Sequence, residues 1–204
     1  ARIKSRCYVD DASFLRSDAG NLAAFLKALK ESDPYNRYYK RIVSHIQRIM
    51  PQLNDFVLDT LTTNERYVRL NWTDRTRPDY LFGPDQLSDG SLRFMALSTL
   101  LLQPPAFFPK VIVLDEPELG LHPAAIVELA GLIKRASQHT QIIAATQSPR
   151  LIDEFSSEDI VIVERDPRSG TSAFRRLEAN QLNEWLQQYS LSELWEKNVL
   201  GGQP

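Results

Sequence analysis

Residues 111–123 read VIVLDEPELGLHP, so that two adjacent carboxylates, Asp115 and Glu116, end a short apolar run rich in β-branched side chains. Pro117 stops the run directly after them. The pattern is that of a buried strand delivering acids to its carboxyl end, the edge of an open α/β sheet at which ligands bind. Asp115 at such an edge can hold Mg²⁺, usually through water, and Glu116 can accept a proton from an attacking water or orient it. The plainer alternative is a turn capped by Asp115 with Glu116 solvated. Two flanking features favour the chemical reading. Pro117 removes a backbone donor and fixes φ, which turns the chain at once. Gly120 permits a positive φ before His122 and Pro123 open the next helix.

Two further segments bring polar groups to places suited to phosphate oxygens. In Gln86–Phe94, QLSDGSLRF, Ser88 is a natural N-cap, and Gly90 lets an anion approach the amides of the helix's first turn. Taken alone this is a capped hydrophobic helix, and Leu92, Met95, Ala96, Thr99 and Leu102 behind it form a core face. In Ile142–Pro149, IIAATQSP, a strand ends at Gln147. Its amide can hydrogen-bond a phosphate oxygen or a water but carries no charge; the alternative is a local bond to the backbone. No G-x-x-x-x-G-K-[ST] phosphate loop occurs anywhere in the chain.

The elements that must position these residues are readable from periodicity. Leu22, Phe25, Leu26 and Leu29 share one helical face, and after the Pro34 break Tyr39, Ile42, Val43, Ile46 and Met50 share another. Phe56 and Leu58 alternate against Val68, Leu70 and Trp72 around a Thr-Thr-Asn-Glu turn, which predicts a hairpin over 55–72. Thr73–Asp85 is rich in Pro, Asp and Arg and reads as a boundary, dividing a helical and hairpin lobe at 1–85 from a core at 86–204. The core reads as helix 88–102, strand 110–115, helix 123–138, strand 141–146, a short helix 149–155 and strand 159–164. Apolar runs separated by helix-length segments predict parallel strands covered on both faces, an α/β architecture. The tail adds a strand near 172–177 and polar helices through Trp185 and Trp195.

Composition narrows the function classes. With 204 residues, 43% of them hydrophobic, the chain can bury one good core or a core with a small lobe. Lys plus Arg number 24 against 26 Asp plus Glu, and a net charge of −2 provides no global field for nucleic acid or anionic lipid. Any such contact needs a local patch. Arg37, Arg41, His45 and Arg48 recur at helical spacing as one basic stripe, which reads as a solvated helix face or a phosphate-backbone contact. The single cysteine, Cys7, has no internal disulfide partner, and neither it nor His139 has companions at metal-site spacing. Trp72, Trp185 and Trp195 read as packing anchors. Triad and zinc motifs are absent. No apolar stretch is long enough to span a bilayer, and the simplest expectation is a cytoplasmic protein with no membrane partner. The opening at Ala1, without an initiator Met, fits a fragment or processed product as well as a complete protein.

LSDGSLRFMALSTLLL, VIVLDEPELGLHPAAI, IIAATQSPRLID and SLSELWEKNVLGG, in this order, resemble the RecF-like, SMC-related AAA-family ATPases of the ABC-type superfamily. The likeness covers residues 86–204 well and 1–85 only as the expected lobe. LSDGS resembles the signature motif commonly written LSGGQ, with Asp89 and Ser91 substituted. The resemblance implies a P-loop NTPase fold, of which this chain is the C-terminal half, and ATP hydrolysis with ATP and Mg²⁺ as cofactors. It assigns Asp115 to Mg²⁺, Glu116 to the catalytic base, Gln147 to γ-phosphate sensing, and Ser88 with Gly90 to a contact with nucleotide held by a partner. It also implies an N-terminal half carrying the phosphate loop (Walker A), a head-to-tail ATP-dependent homodimer, and possible contact with DNA. Two positions depart from the family pattern: a histidine usually stands where Gln147 is, and an aspartate often where His122 is. His122 is therefore expected near the nucleotide, or simply to pack or cap at its helix start. A different class of protein, a noncatalytic dimerisation or nucleic-acid-associated module that kept the fold, fits the same absence of a phosphate loop.

Overall fold

The computed structural model describes residues 2–61, 64–166, 168–177 and 185–202. The chain falls into two compact units, Ala1–Ala144 and Ala145–Pro204. In the first unit, α1 (Leu22–Glu31) buries Leu22, Phe25, Leu26 and Leu29, and α2 (Asn36–Ile49) buries Tyr39, Ile42, Val43 and Ile46, as their periodicity predicts. Helix α2 packs on α1 and also on α3 (Asp89–Leu102) and α4 (Pro123–Ala136). The helices of the expected lobe are thus built directly onto the helices of the expected core.

The predicted hairpin exists, but in two tiers. β2 (Leu53–Val57) pairs antiparallel with β5 (Asn71–Asp74), with Phe56 opposite Trp72. Further out, β3 (Thr60–Leu61) pairs with β4 (Asn64–Val68), with Thr60 opposite Val68 and β4 also pairing with β1 (Cys7–Tyr8). Part of the expected turn, residues 62–63, lies outside the described residues. Thr73–Asp85, expected to be a boundary segment, contains the whole of β6 (Arg77–Phe82), the third strand of a meander on β5. Trp72 stacks on Phe82 at 4.7 Å between centroids and anchors that pairing, so an aromatic cross-strand contact outweighs the polar composition.

β7 (Val111–Asp115) is hydrogen-bonded to β8 (Gln141–Ala145), with α4 between them in sequence. The Gln141 amide donates to Lys110 O at 3.2 Å and the Thr140 hydroxyl to Pro109 O at 2.6 Å, so the two strands start side by side and run parallel. One expectation is corrected here. Ile112 and Leu114 are buried, but Val111, Val113 and Ile143 are 44, 71 and 52% exposed, so the described residues of this unit cover the strands on one face only. Apolarity on both faces records an intended environment; it does not show that this stretch of chain supplies both covers.

In the second unit, α5 (Pro149–Ile152) and α6 (Leu191–Glu196) pack together around Ile152, Ile162, Leu177, Leu191, Leu194 and Leu200. Ser190 and Glu193 close a capping box, and Asp153 accepts from the Ser192 amide at 2.8 Å and hydroxyl at 2.6 Å. β9 (Val161–Arg165) pairs antiparallel with β10 (Ser172–Arg176). Residues 178–184 of the expected tail helices lie outside the described residues. No helix among the described residues is long and apolar enough to cross a membrane.

Candidate functional site

The strand-end carboxylates stand where the sequence puts them. Asp115 closes β7 and both it and Glu116 are exposed, while Pro117 is buried beneath the turn. Among the described residues neither carboxylate accepts a hydrogen bond or joins an ion pair. Glu116 has φ 42°, the left-handed region, which costs a residue with a side chain about 1–2 kcal/mol. Glu116 O accepts from the Leu119 amide at 3.1 Å and from Arg93 Nη1 at 3.0 Å, and a second turn follows, in which Leu121 N donates to Glu118 O at 2.9 Å. Gly120, at φ 77°, takes the positive φ that its sequence position foreshadows.

The first turn of α3 lies against this loop. A Cβ on Gly90 would stand 2.2 Å from Gly120 O, so the two backbones touch where the helix begins. Gly90 therefore has a structural reason within its own chain, and a bulky residue there would displace the 116–121 loop before it met any partner. Ser88 is the N-cap: its hydroxyl oxygen accepts from the Ser91 amide at 3.0 Å and lies 2.8 Å from the Ser91 hydroxyl. The Asp89 and Gly90 amides have no partner among the described residues. Asp89 is exposed beside them, yet Lys4 Nζ sits 2.8 Å from its carboxylate and, through that bond and its charge, holds the acid below the usual aspartate range. The negative charge at the first turn of α3 is thereby offset by a residue from near the start of the sequence.

His122 caps α4. Its Nδ1 accepts from the Ala124 amide at 3.2 Å, so the neutral ring carries its proton on Nε2. This matches the capping alternative weighed for it, on a residue that is exposed as a whole. Gln147 lies in the second unit, exposed between β8 and the Ser148 cap of α5. The first unit thus gathers Ser88, Gly90, Asp115, Glu116 and His122 around one loop. Sequence reasoning missed two members of that neighbourhood. Arg93 is one turn beyond Gly90 and on the same helical face, a spacing that could have revealed it. Lys4 has no local signal at all.

The expected basic stripe on α2 is split. His45 is buried, and its Nδ1 meets Glu128 of α4, which also accepts from Arg48 Nη1 at 3.2 Å. Arg37 and Arg41 remain exposed and lie 5.0 and 5.6 Å from the Tyr38 ring, without an acidic partner among the described residues. Cys7 is buried with its thiol pKa pushed up by desolvation, which makes it a poor nucleophile. His139 stacks on Phe108 at 5.9 Å. No group of three or more His, Cys, Asp or Glu side chains among the described residues could hold a metal by itself. A single strand-end acid nevertheless suits Mg²⁺, which keeps several waters and takes its other ligands from substrate phosphates.

The family model described as "AAA domain, putative AbiEii toxin, Type IV TA system" matches residues 11–153, more than half of the chain. The energy-coupling factor transporter ATP-binding protein EcfA2 of Lactobacillus delbrueckii subsp. bulgaricus is 31% identical over 112 residues, 54% of this chain and 36% of that protein. The chain thus matches about a third of the length of that relative. Among solved structures, a chain from work on ATP-driven dimerization and DNA stimulated activation of SMC ATPases aligns over 81% of this chain and 97% of its own, with TM-score 0.52 and 16% identity. An SMC head bound to the C-winged helix domain of ScpA aligns over 86% of this chain and 50% of its own, with TM-score 0.56 and 16% identity. At that identity the likeness establishes the fold, that of P-loop ATPase heads.

Proposed function

Because the chain belongs to the family of AAA domains described as putative AbiEii toxin, Type IV TA system, an ATPase family with ABC-type relatives, we propose that it supplies the Walker B, signature and switch elements of an ATP-hydrolysing head. One observation carries this reading: two adjacent exposed carboxylates at the end of β7, neither bonded to anything among the described residues. Glu116 is the base that takes the proton of the attacking water, and Asp115 would hold Mg²⁺. Bound there with ATP, Mg²⁺ would neutralise charge on the phosphates. The amides of Asp89 and Gly90, unpartnered among the described residues, face with Ser88 a phosphate held by a second copy, and Gln147 senses the γ-phosphate. His122 caps α4.

The phosphate loop comes from a segment outside these 204 residues, and the open apolar face at Val111, Val113 and Ile143 supports such a segment docking on the sheet, since parallel strands are normally covered on both sides. By itself the chain turns over no ATP. We take residues 1–85 as the accessory lobe and 86–204 as the catalytic core, and place the protein in the cytoplasm as an ATP-dependent homodimer. In the protein that carries the phosphate loop, Glu116→Gln should keep ATP binding and lose roughly 10²–10⁴-fold in kcat, whereas Asp115→Ala should weaken Mg²⁺-dependent binding. Parent-rate turnover by Glu116→Gln would remove the base assignment. The second reading, a noncatalytic module that contacts DNA, is favoured by Arg37 and Arg41, two exposed guanidiniums beside Tyr38 with no acidic partner among the described residues.

A further inference from the structure

Glu116 does not hold its backbone conformation unaided. Its φ of 42° fixes the direction in which the side chain leaves the chain, and Pro117 closes off the right-handed helical alternative. The Leu119 amide and Arg93 Nη1 share its carbonyl, at 3.1 and 3.0 Å. The Leu119 bond is internal to the turn and moves with it. Arg93 is the external anchor, and it grips from α3, whose first turn already touches Gly120 at Gly90. Gly90 and Arg93 are three residues apart and stack on one face of the helix, so the loop meets α3 at two successive points. The Arg93 guanidinium forms no ion pair with an acid among the described residues, which leaves the carbonyl of Glu116 as its partner in this structure.

We propose that Arg93 is a positioning residue for Glu116: it locks the left-handed turn that aims the carboxylate, and it ties that aim to the phosphate-facing first turn of α3 within one chain. The inference rests on Glu116 being the base. Displacement of α3 by a phosphate at the Asp89 and Gly90 amides is passed to Glu116 through the Arg93 bond and the Gly90–Gly120 contact.

The test uses the full protein, phosphate loop included, with ATP and Mg²⁺. Arg93→Ala should lower kcat roughly 10–10²-fold, the scale of a small misplacement of a reacting group, with KM for ATP unchanged. Arg93→Lys, which keeps a donor for the carbonyl, should recover part of the loss. In the Glu116→Gln background Arg93→Ala should add no further loss, because the group being aimed is gone. Hydrogen exchange at the Leu119 amide should quicken in Arg93→Ala, a readout independent of turnover. An unchanged kcat in Arg93→Ala, or a full multiplicative loss in the Glu116→Gln background, overturns the proposal while the base assignment stands. Parent-rate Glu116→Gln overturns both. If Arg93→Ala does not fold, Arg93→Met, which keeps the stem and removes the donor, decides: a Leu119 exchange rate and kcat identical to the parent overturn the lock.

Discussion

Two sets of carboxylates in the first unit are treated in opposite ways. Asp55 accepts from Tyr39 Oη and, at 2.9 Å, from Lys30 Nζ; Glu128 meets His45 Nδ1 and Arg48 Nη1. Each of these acids has two donors from helices or strands distant in sequence, and each closes a packing joint around α2. Asp115 and Glu116 are held by a rigid strand end and a strained turn, yet their oxygens meet no donor among the described residues. Acids that build the fold are saturated by it; acids left open on a fixed frame are available to a cation and a water. The backbone around the open pair is bonded at every turn, so their freedom is confined to the carboxylates themselves.

The largest effect expected from this contrast is on stability. Glu128→Ala, which strands the buried His45, should destabilise the chain by about 1.5–3 kcal/mol, while Asp115→Asn should stay within about 0.5 kcal/mol of the parent. Urea unfolding of the 204-residue chain reads both, and equal losses would erase the distinction. Tyr39→Phe should cost about 1 kcal/mol near neutral pH, the worth of its bond to Asp55. Burial and that bond to Asp55 raise the Tyr39 pKa well above the ordinary tyrosine value. Its contribution is therefore complete below about pH 10 and declines above it, where the unfolded chain loses the phenol proton and the folded chain keeps it. Parent stability measured from pH 8 to 11 should fall more steeply than that of Tyr39→Phe; parallel curves would show that the phenol is not held by the fold. The smallest effect concerns an intermediate case, Asp89, exposed but paired. Lys4→Ala should raise the Asp89 midpoint toward the ordinary aspartate value in an NMR titration and leave unfolding unchanged. An unmoved midpoint would return Asp89 to the open group.

Much of this was legible in the chain because it is written locally. The apolar run closed by Asp115, Glu116 and Pro117 encodes a strand, its stop and its cargo in one stretch, and Gly120 marks the later turn. The alternation of Phe56 and Leu58 against Val68, Leu70 and Trp72 encodes the hairpin, but not the register shifts at Leu53–Asp55 and Thr60–Leu61. What was not legible depends on pieces far apart. His45 reads as part of an exposed stripe until Glu128, on another helix, arrives to cover it. β6 hides in a polar segment because its anchor is a stack of Phe82 on a neighbouring strand. The Arg93 bond to a backbone carbonyl has no side-chain signature at its far end, and the Gly90–Gly120 contact looks in sequence like room left for a ligand.

The placement of the three tryptophans gives the molecule a built-in optical report. Trp72, 5% exposed and stacked on Phe82, sits in the first unit, whereas Trp185, 47% exposed, and Trp195 sit in the second. Emission from a dry, stacked indole lies to the blue of emission from a wet one, and aqueous iodide quenches only the latter efficiently. Following the blue and red edges of one fluorescence spectrum through a denaturant titration therefore follows each unit by its own light, and two curves that separate would show the units melting independently.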